Sequence, residues 1–321
     1  MKPLSSIFSF ETLKLGPFTC RGLCLALGLV LLVEGAVRVA VWRRWLPADA
    51  GLEAHMEKQK EKVEGAPHEM WWMGSSTLGA AFDRKVWDKS RRDDPLILIH
   101  GSASLRGNNA LLEYYLRFAP APPRELVVFN QPTHMSLHGK GPVRDTEPVY
   151  LEVGKTGQLP KSDPLAMQRL RSHLEAIVER RFLILFSRSG STGETQFLSP
   201  EKKAYFSQIF ADYQTDLAAF AELGRIARAH GIRRVVFVMM PMSHDLKDWF
   251  NTRDRGQNYA EVVEEVRRAC AAANVEFRDA TGVTEDTEDF RDPYHLNSRG
   301  AVRFTEKFLS ESLSGGGEQA P

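Results

Sequence analysis

Two short blocks carry side chains able to do covalent chemistry. Gly74-Ser75-Ser76 offers hydroxyl nucleophiles, and Asp292-Pro293-Tyr294-His295-Leu296-Asn297 offers an imidazole with a carboxylate three residues before it. A serine hydroxyl is a poor nucleophile near neutral pH. It needs an imidazole within hydrogen-bond reach, and that imidazole needs an acceptor for its other nitrogen. Asp292 and His295 supply both from one short turn. Each block alone also has a purely structural reading, with Ser75 or Ser76 capping a helix and Asn297 capping another. Together, in this order, they point to acyl transfer through serine.

Other motifs are weaker. His134 and His138 have a metal-like spacing, but no third ligand stands out, so a solvated loop is the expectation. Gly154-Lys155-Thr156 mimics the end of a phosphate loop, yet Val149 occupies the place of its earlier glycine. Ser187 to Gly193 reads as a flexible loop rather than a second nucleophile. His244 follows an apolar run and is a candidate for touching substrate. No metal and no cofactor is expected.

The elements that must position these residues follow from apolar patterning. Met70 to Met73, Leu96 to Ile99, Leu126 to Phe129 and Val235 to Met240 read as buried strands, and Val275 to Phe277 as an edge strand. Tyr205, Phe206, Ile209, Phe210, Tyr213, Leu217, Phe220 and Leu223 form one helical stripe. Tyr259, Val262, Val263 and Val266 form another, and Val302, Phe304, Phe308 and Leu309 a third. Phe182 to Phe186 fits either a strand or a helix end. Continuous apolar strands alternating with amphipathic helices argue for an α/β fold of three layers, α/β/α, with a mostly parallel sheet. Sites in such sheets form at the carboxyl ends of the strands. Ser76, Gly101, Asn130 and His244 each fall just after a strand, and Asp292 to His295 precede the last helix.

The chain of 321 residues carries 42 basic and 41 acidic side chains, so no net charge points to nucleic acid. Residues 22–42 are apolar apart from Glu34 and Arg38, which lie four apart on one helical face and can pair. This length suits one N-terminal transmembrane helix, with Trp42 and Trp45 at the interface. A signal peptide whose apolar core ends at Val33 is the alternative, but no small-residue cleavage site follows the run. Lys2, Lys14 and Arg21 on one side balance Arg38, Arg43 and Arg44 on the other, so charge does not orient the span. The organisation expected is a segment 1–21, an anchor 22–42, a spacer 43–67, a catalytic domain 68–313 and a disordered tail 314–321. Residues 134–164, rich in Gly, Pro and charge, break the rhythm and read as a lid or a mobile insertion. Cys20 and Cys24 fall at the anchor, which leaves Cys270 as the domain's one thiol.

With these blocks in this order the chain resembles the SGNH, or GDSL, hydrolase superfamily. It is most similar to the membrane-anchored bacterial branch of envelope O-acetylation and D-alanine transfer proteins. The resemblance spans roughly Glu69 to Leu313 in element order, and the first and last blocks carry it. It implies a flavodoxin-like sheet, Ser76 rather than Ser75 as nucleophile, His295 as base and Asp292 as its orienting group. It implies an oxyanion hole from the Ser76 and Gly101 N–H groups and the Asn130 side chain. The chain departs from the family's Gly-x-Asn-Asp block, having Phe129-Asn130-Gln131-Pro132 instead. By this resemblance the domain faces the periplasm or the outside and acts on acyl esters of an envelope glycan or lipid carrier, beside a membrane-bound O-acyltransferase. A non-catalytic relative that binds glycan or such a partner is the alternative, and the missing Gly-x-Asn-Asp block supports it.

Overall fold

The computed structural model describes residues 52–90, 94–137, 142–159, 206–207, 210, 213–252 and 257–314. The expected anchor 22–42, most of the tail, Cys20, Cys24, His138, and the segments Phe182 to Phe186 and Ser187 to Gly193 lie outside these. Among the described residues no helix is long and apolar enough to cross a membrane. From Met56 onward the described residues belong to one compact unit.

Its elements are α1 (Leu52–Gly65), β1 (Met70–Gly74), α2 (Ser76–Ala81), α3 (Arg84–Ser90), β2 (Leu96–Ile99), α4 (Leu105–Leu116), β3 (Glu125–Asn130) and α5 (Pro142–Thr156). Then follow α6 (Leu217–Ala229), β4 (Arg234–Met239), α7 (His244–Thr252), α8 (Tyr259–Ala273), β5 (Glu276–Asp279), β6 (Phe290–Asp292), β7 (His295–Leu296) and α9 (Ser298–Ser314). Strands β1 to β5 form one parallel sheet in the order β2-β1-β3-β4-β5. Strands β6 and β7 make a small antiparallel pair.

The side-chain period of two sends alternate strand residues to opposite faces. Trp72, Val127 and Val236 stand in register and join Trp87, Phe304 and Phe308 on the face covered by α2, α3 and α9. The ring of Trp72 lies 4.7 Å from Trp87, 5.2 Å from Phe129 and 5.3 Å from Phe308. Val128 and Phe237 are paired one residue further on, and Phe237 meets Phe220 of α6 edge-on at 5.0 Å. Helices α4, α5, α6 and α8 pack with one another in this second layer. The architecture is therefore the three-layer α/β/α arrangement with a parallel sheet.

Two stretches differ from the sequence reading. The stripe from Tyr205 to Leu223 is not one helix: Phe206, Ser207 and Phe210 are helical, but the chain then leaves the helix and Thr215 bridges antiparallel to Ser136. Asp216 starts α6 by accepting from the Ala219 N–H, which ends any continuity through that point. Within 134–164, read as irregular, α5 spans fifteen residues despite Pro148 and packs on α4, with Tyr150 at Gly107 and Gly154 at Ala110.

Candidate active site

In the order β2-β1-β3-β4-β5 the chain reverses its direction of sheet growth between β1 and β3, which opens a crevice at their carboxyl ends. Gly74 closes β1 there, since a Cβ would stand 2.9 Å from Phe129 O and 2.9 Å from Leu78 Cβ. The next two residues divide the work. Ser75 is fully buried, caps α2 by accepting from the Thr77 N–H and shares a hydrogen bond with Thr77 Oγ1 at 2.8 Å. Ser76, half-buried as the first helical residue, places its Oγ 2.9 Å from His295 Nε2.

His295 opens β7, which packs against α2. Its other nitrogen, Nδ1, lies 3.0 and 2.9 Å from the two carboxylate oxygens of Asp292. A carboxylate at Nδ1 holds the proton there, so Nε2 presents its lone pair to Ser76. The turn itself is local: Asp292 Oδ1 also accepts the N–H groups of Tyr294 at 3.2 Å and His295 at 2.9 Å. Burial pushes the Asp292 carboxyl up. The hydrogen bond and charge of His295, with those two N–H groups, outweigh it and hold the carboxyl below its ordinary value.

Hydrogen-bond donors lie at the same strand ends. The Ser76 N–H, at the first position of α2, has no intrahelical acceptor. The Gly101 N–H, just beyond β2, donates to no backbone acceptor among the described residues. Asn130 ends β3 fully buried; its Oδ1 accepts from the Gln131 N–H, and its Nδ2 has no acceptor among the described residues. His244 makes no hydrogen bond to Ser76, Asp292 or His295 among the described residues. Its side chain is 61% exposed at the start of α7, with Nε2 3.0 Å from Asp248 one turn on.

Two residues of the site escaped the sequence reading. Gln131 Nε2 donates to Pro241 O at 2.8 Å and to Tyr294 O at 2.7 Å, tying the exits of β3 and β4 to the Asp292–His295 turn. Ser243 N–H donates to Pro293 O at 3.0 Å. Their only signal was a position just after a strand. His134, expected on a solvated loop, is instead 8% exposed in the 3-10 turn Pro132–His134. Burial, reinforced by the charge of nearby His295, lowers its pKa to about 4, so it is neutral at physiological pH.

No family model and no curated protein matches the chain. Among solved structures it is similar to a protein named as a platelet activating factor from Streptococcus pneumonia. Identity is 11% and the TM-score 0.40, over 85% of this chain and 99% of that one. A protein named as an arylesterase from Agrobacterium tumefaciens aligns at 11% identity and a TM-score of 0.39, over 77% and 99%. One named as an acylhydrolase from Bacteroides fragilis aligns at 10% and 0.39, over 82% and 98%.

Proposed function

We propose that this chain is a serine ester hydrolase or O-acyltransferase. The observation that supports it most is the continuous path from Ser76 Oγ through His295 to the Asp292 carboxylate. In this reading Ser76 Oγ attacks the acyl carbonyl carbon while His295 Nε2 takes its proton. The developing oxyanion is held by the Ser76 and Gly101 N–H groups and Asn130 Nδ2. The tetrahedral adduct collapses, its alkoxide leaves with the proton from His295, and an acyl-Ser76 ester remains. Water, or a sugar hydroxyl, then gives its proton to His295 and attacks the acyl carbon. The second adduct expels Ser76 Oγ, which takes the proton back from His295, and the product is the free acid or a new ester.

The substrate in this reading is an O-acyl ester of an envelope glycan or lipid carrier, met outside the cytoplasmic membrane by a domain anchored through residues 22–42. That part rests on the sequence resemblance and the apolar run. A fluorophosphonate reacting with the full-length protein in detergent tests the catalytic core, together with turnover of a small acetyl ester. Both are expected, and both should vanish in Ser76→Ala. Absence of turnover and labelling alongside glycan binding would replace this reading with the non-catalytic one.

A further inference from the structure

Between His100 and Ala103, both fully buried, the loop's two-residue tip Gly101-Ser102 has little packing of its own. Gly101 is exposed, and a Cβ built on it would meet nothing within 4 Å. Ser102 beside it sits at φ +52°, in the sparsely populated left-handed region. An oxyanion donor has to be fixed before the reaction, because reorganisation in the transition state forfeits its contribution. The tip has to be held through its backbone.

Three consecutive peptide planes are in fact pinned through their carbonyls. His100 O accepts from the Ala103 N–H at 3.3 Å, Gly101 O from the Tyr150 hydroxyl at 2.8 Å, and Ser102 O from the Thr146 hydroxyl at 3.0 Å. In a trans peptide the C=O and the following N–H point in opposite directions. Anchoring His100 O thus turns the Gly101 N–H away from Ala103, and anchoring Gly101 O fixes the next plane. Thr146 and Tyr150 lie four apart, on one face of α5. The helix is seated firmly. A Cβ at Gly154 would stand 2.6 Å from Ala110 Cβ, and one at Gly107, in the first turn of α4, would stand 3.1 Å from the Tyr150 ring. Burial raises the Tyr150 pKa to about 12, so its hydroxyl keeps the proton it donates.

We infer that Tyr150 and Thr146 are positioning residues, which make α5 a clamp that orients the Gly101 N–H toward the oxyanion. The inference rests on the hydrolase reading above. It gives the segment read as a lid a fixed task at the site.

The test is Tyr150→Phe, Thr146→Val and their double variant in the full-length protein in detergent, with an acetyl ester and a fluorophosphonate. Tyr150→Phe keeps the ring that packs on Gly107 and removes only the hydroxyl. Expected are a roughly tenfold fall in kcat with KM unchanged, an equal fall in the labelling rate, and a larger loss in the double variant. The Ala103 amide should exchange its hydrogen about tenfold faster. A kcat within twofold of wild type in the double variant overturns the clamp while the hydrolase reading survives. So does a drop in thermal midpoint with kcat per folded molecule and Ala103 exchange unchanged. A wild-type protein that neither turns over ester nor labels at Ser76 overturns both.

Discussion

Ser75 and Ser76 are neighbours with opposite partners: Ser75 Oγ is buried against Thr77, whereas Ser76 Oγ is 2.9 Å from an imidazole 219 positions away. Ser76→Ala is therefore expected to abolish ester turnover and covalent labelling. Ser75→Ala should keep labelling and lose about 1 kcal/mol of stability, the usual worth of a helix cap. Equal kinetic loss in the two variants would remove Ser76 as the nucleophile.

Asp292 holds the His295 ring by both oxygens and the turn backbone by one of them. Asp292→Asn can keep the backbone contacts but presents an amide that can favour the wrong tautomer. Turnover is expected to fall about 10⁴-fold with an unchanged circular dichroism spectrum, and His295→Ala should lose at least as much. Substantial activity in His295→Ala would show that the base lies elsewhere.

His134 makes folding sensitive to acid. Its folded pKa, about 4, lies below the ordinary 6.5, so between these values the unfolded chain binds the extra proton. Stability from this group is then full above pH 6.5 and lost as pH falls toward 4, by roughly 3 kcal/mol in all. Urea midpoints of wild type and His134→Gln at pH 7 and pH 4.5 measure this. The variant should show a shallower loss, and identical losses would refute the assignment.

Gly300, in the first turn of α9, lies against the backbone just before β6, where a Cβ would stand 2.2 Å from Asp289 O and 3.0 Å from Leu296 Cδ2. Asp289 is itself fixed, accepting from Arg303 at 2.6 Å, from Arg299 and from Thr284. Gly300→Ala must then displace backbone. We expect a thermal midpoint lower by several degrees and a kcat reduced more than KM is raised, from overpacking of about 1–3 kcal/mol. A variant with wild-type midpoint and kcat would show that the backbone yields without cost.

The strands were legible because a sheet covered on both faces demands uninterrupted apolar runs. Leu96 to Ile99 coincides with β2, and the runs beginning at Met70, Leu126 and Val235 fall within one residue of β1, β3 and β4. Periodicity misled where it reports burial rather than chain continuity. Phe206, Phe210, Tyr213, Phe220 and Leu223 are all buried, yet the helix breaks before Asp216, and Leu217 is 46% exposed. Helix α5 was hidden by its proline and charges, since Tyr150 and Val153, the large apolar residues buried among its described side chains, make too sparse an apolar stripe.

Residue order alone settled the α/β layering, the strand positions and the types of side chain at the strand ends, because these depend on burial patterns within a few residues. It also placed Asp292 three residues before His295, a turn that closes on itself. The meeting of that turn with Ser76 was decided by tertiary structure. So were the burial of His134, the Gln131 tie across two strand exits and the hold of α5 on Gly101. Those contacts join segments tens to hundreds of residues apart. Their distances are fixed by sheet register and loop closure, which leave no periodic trace in the chain.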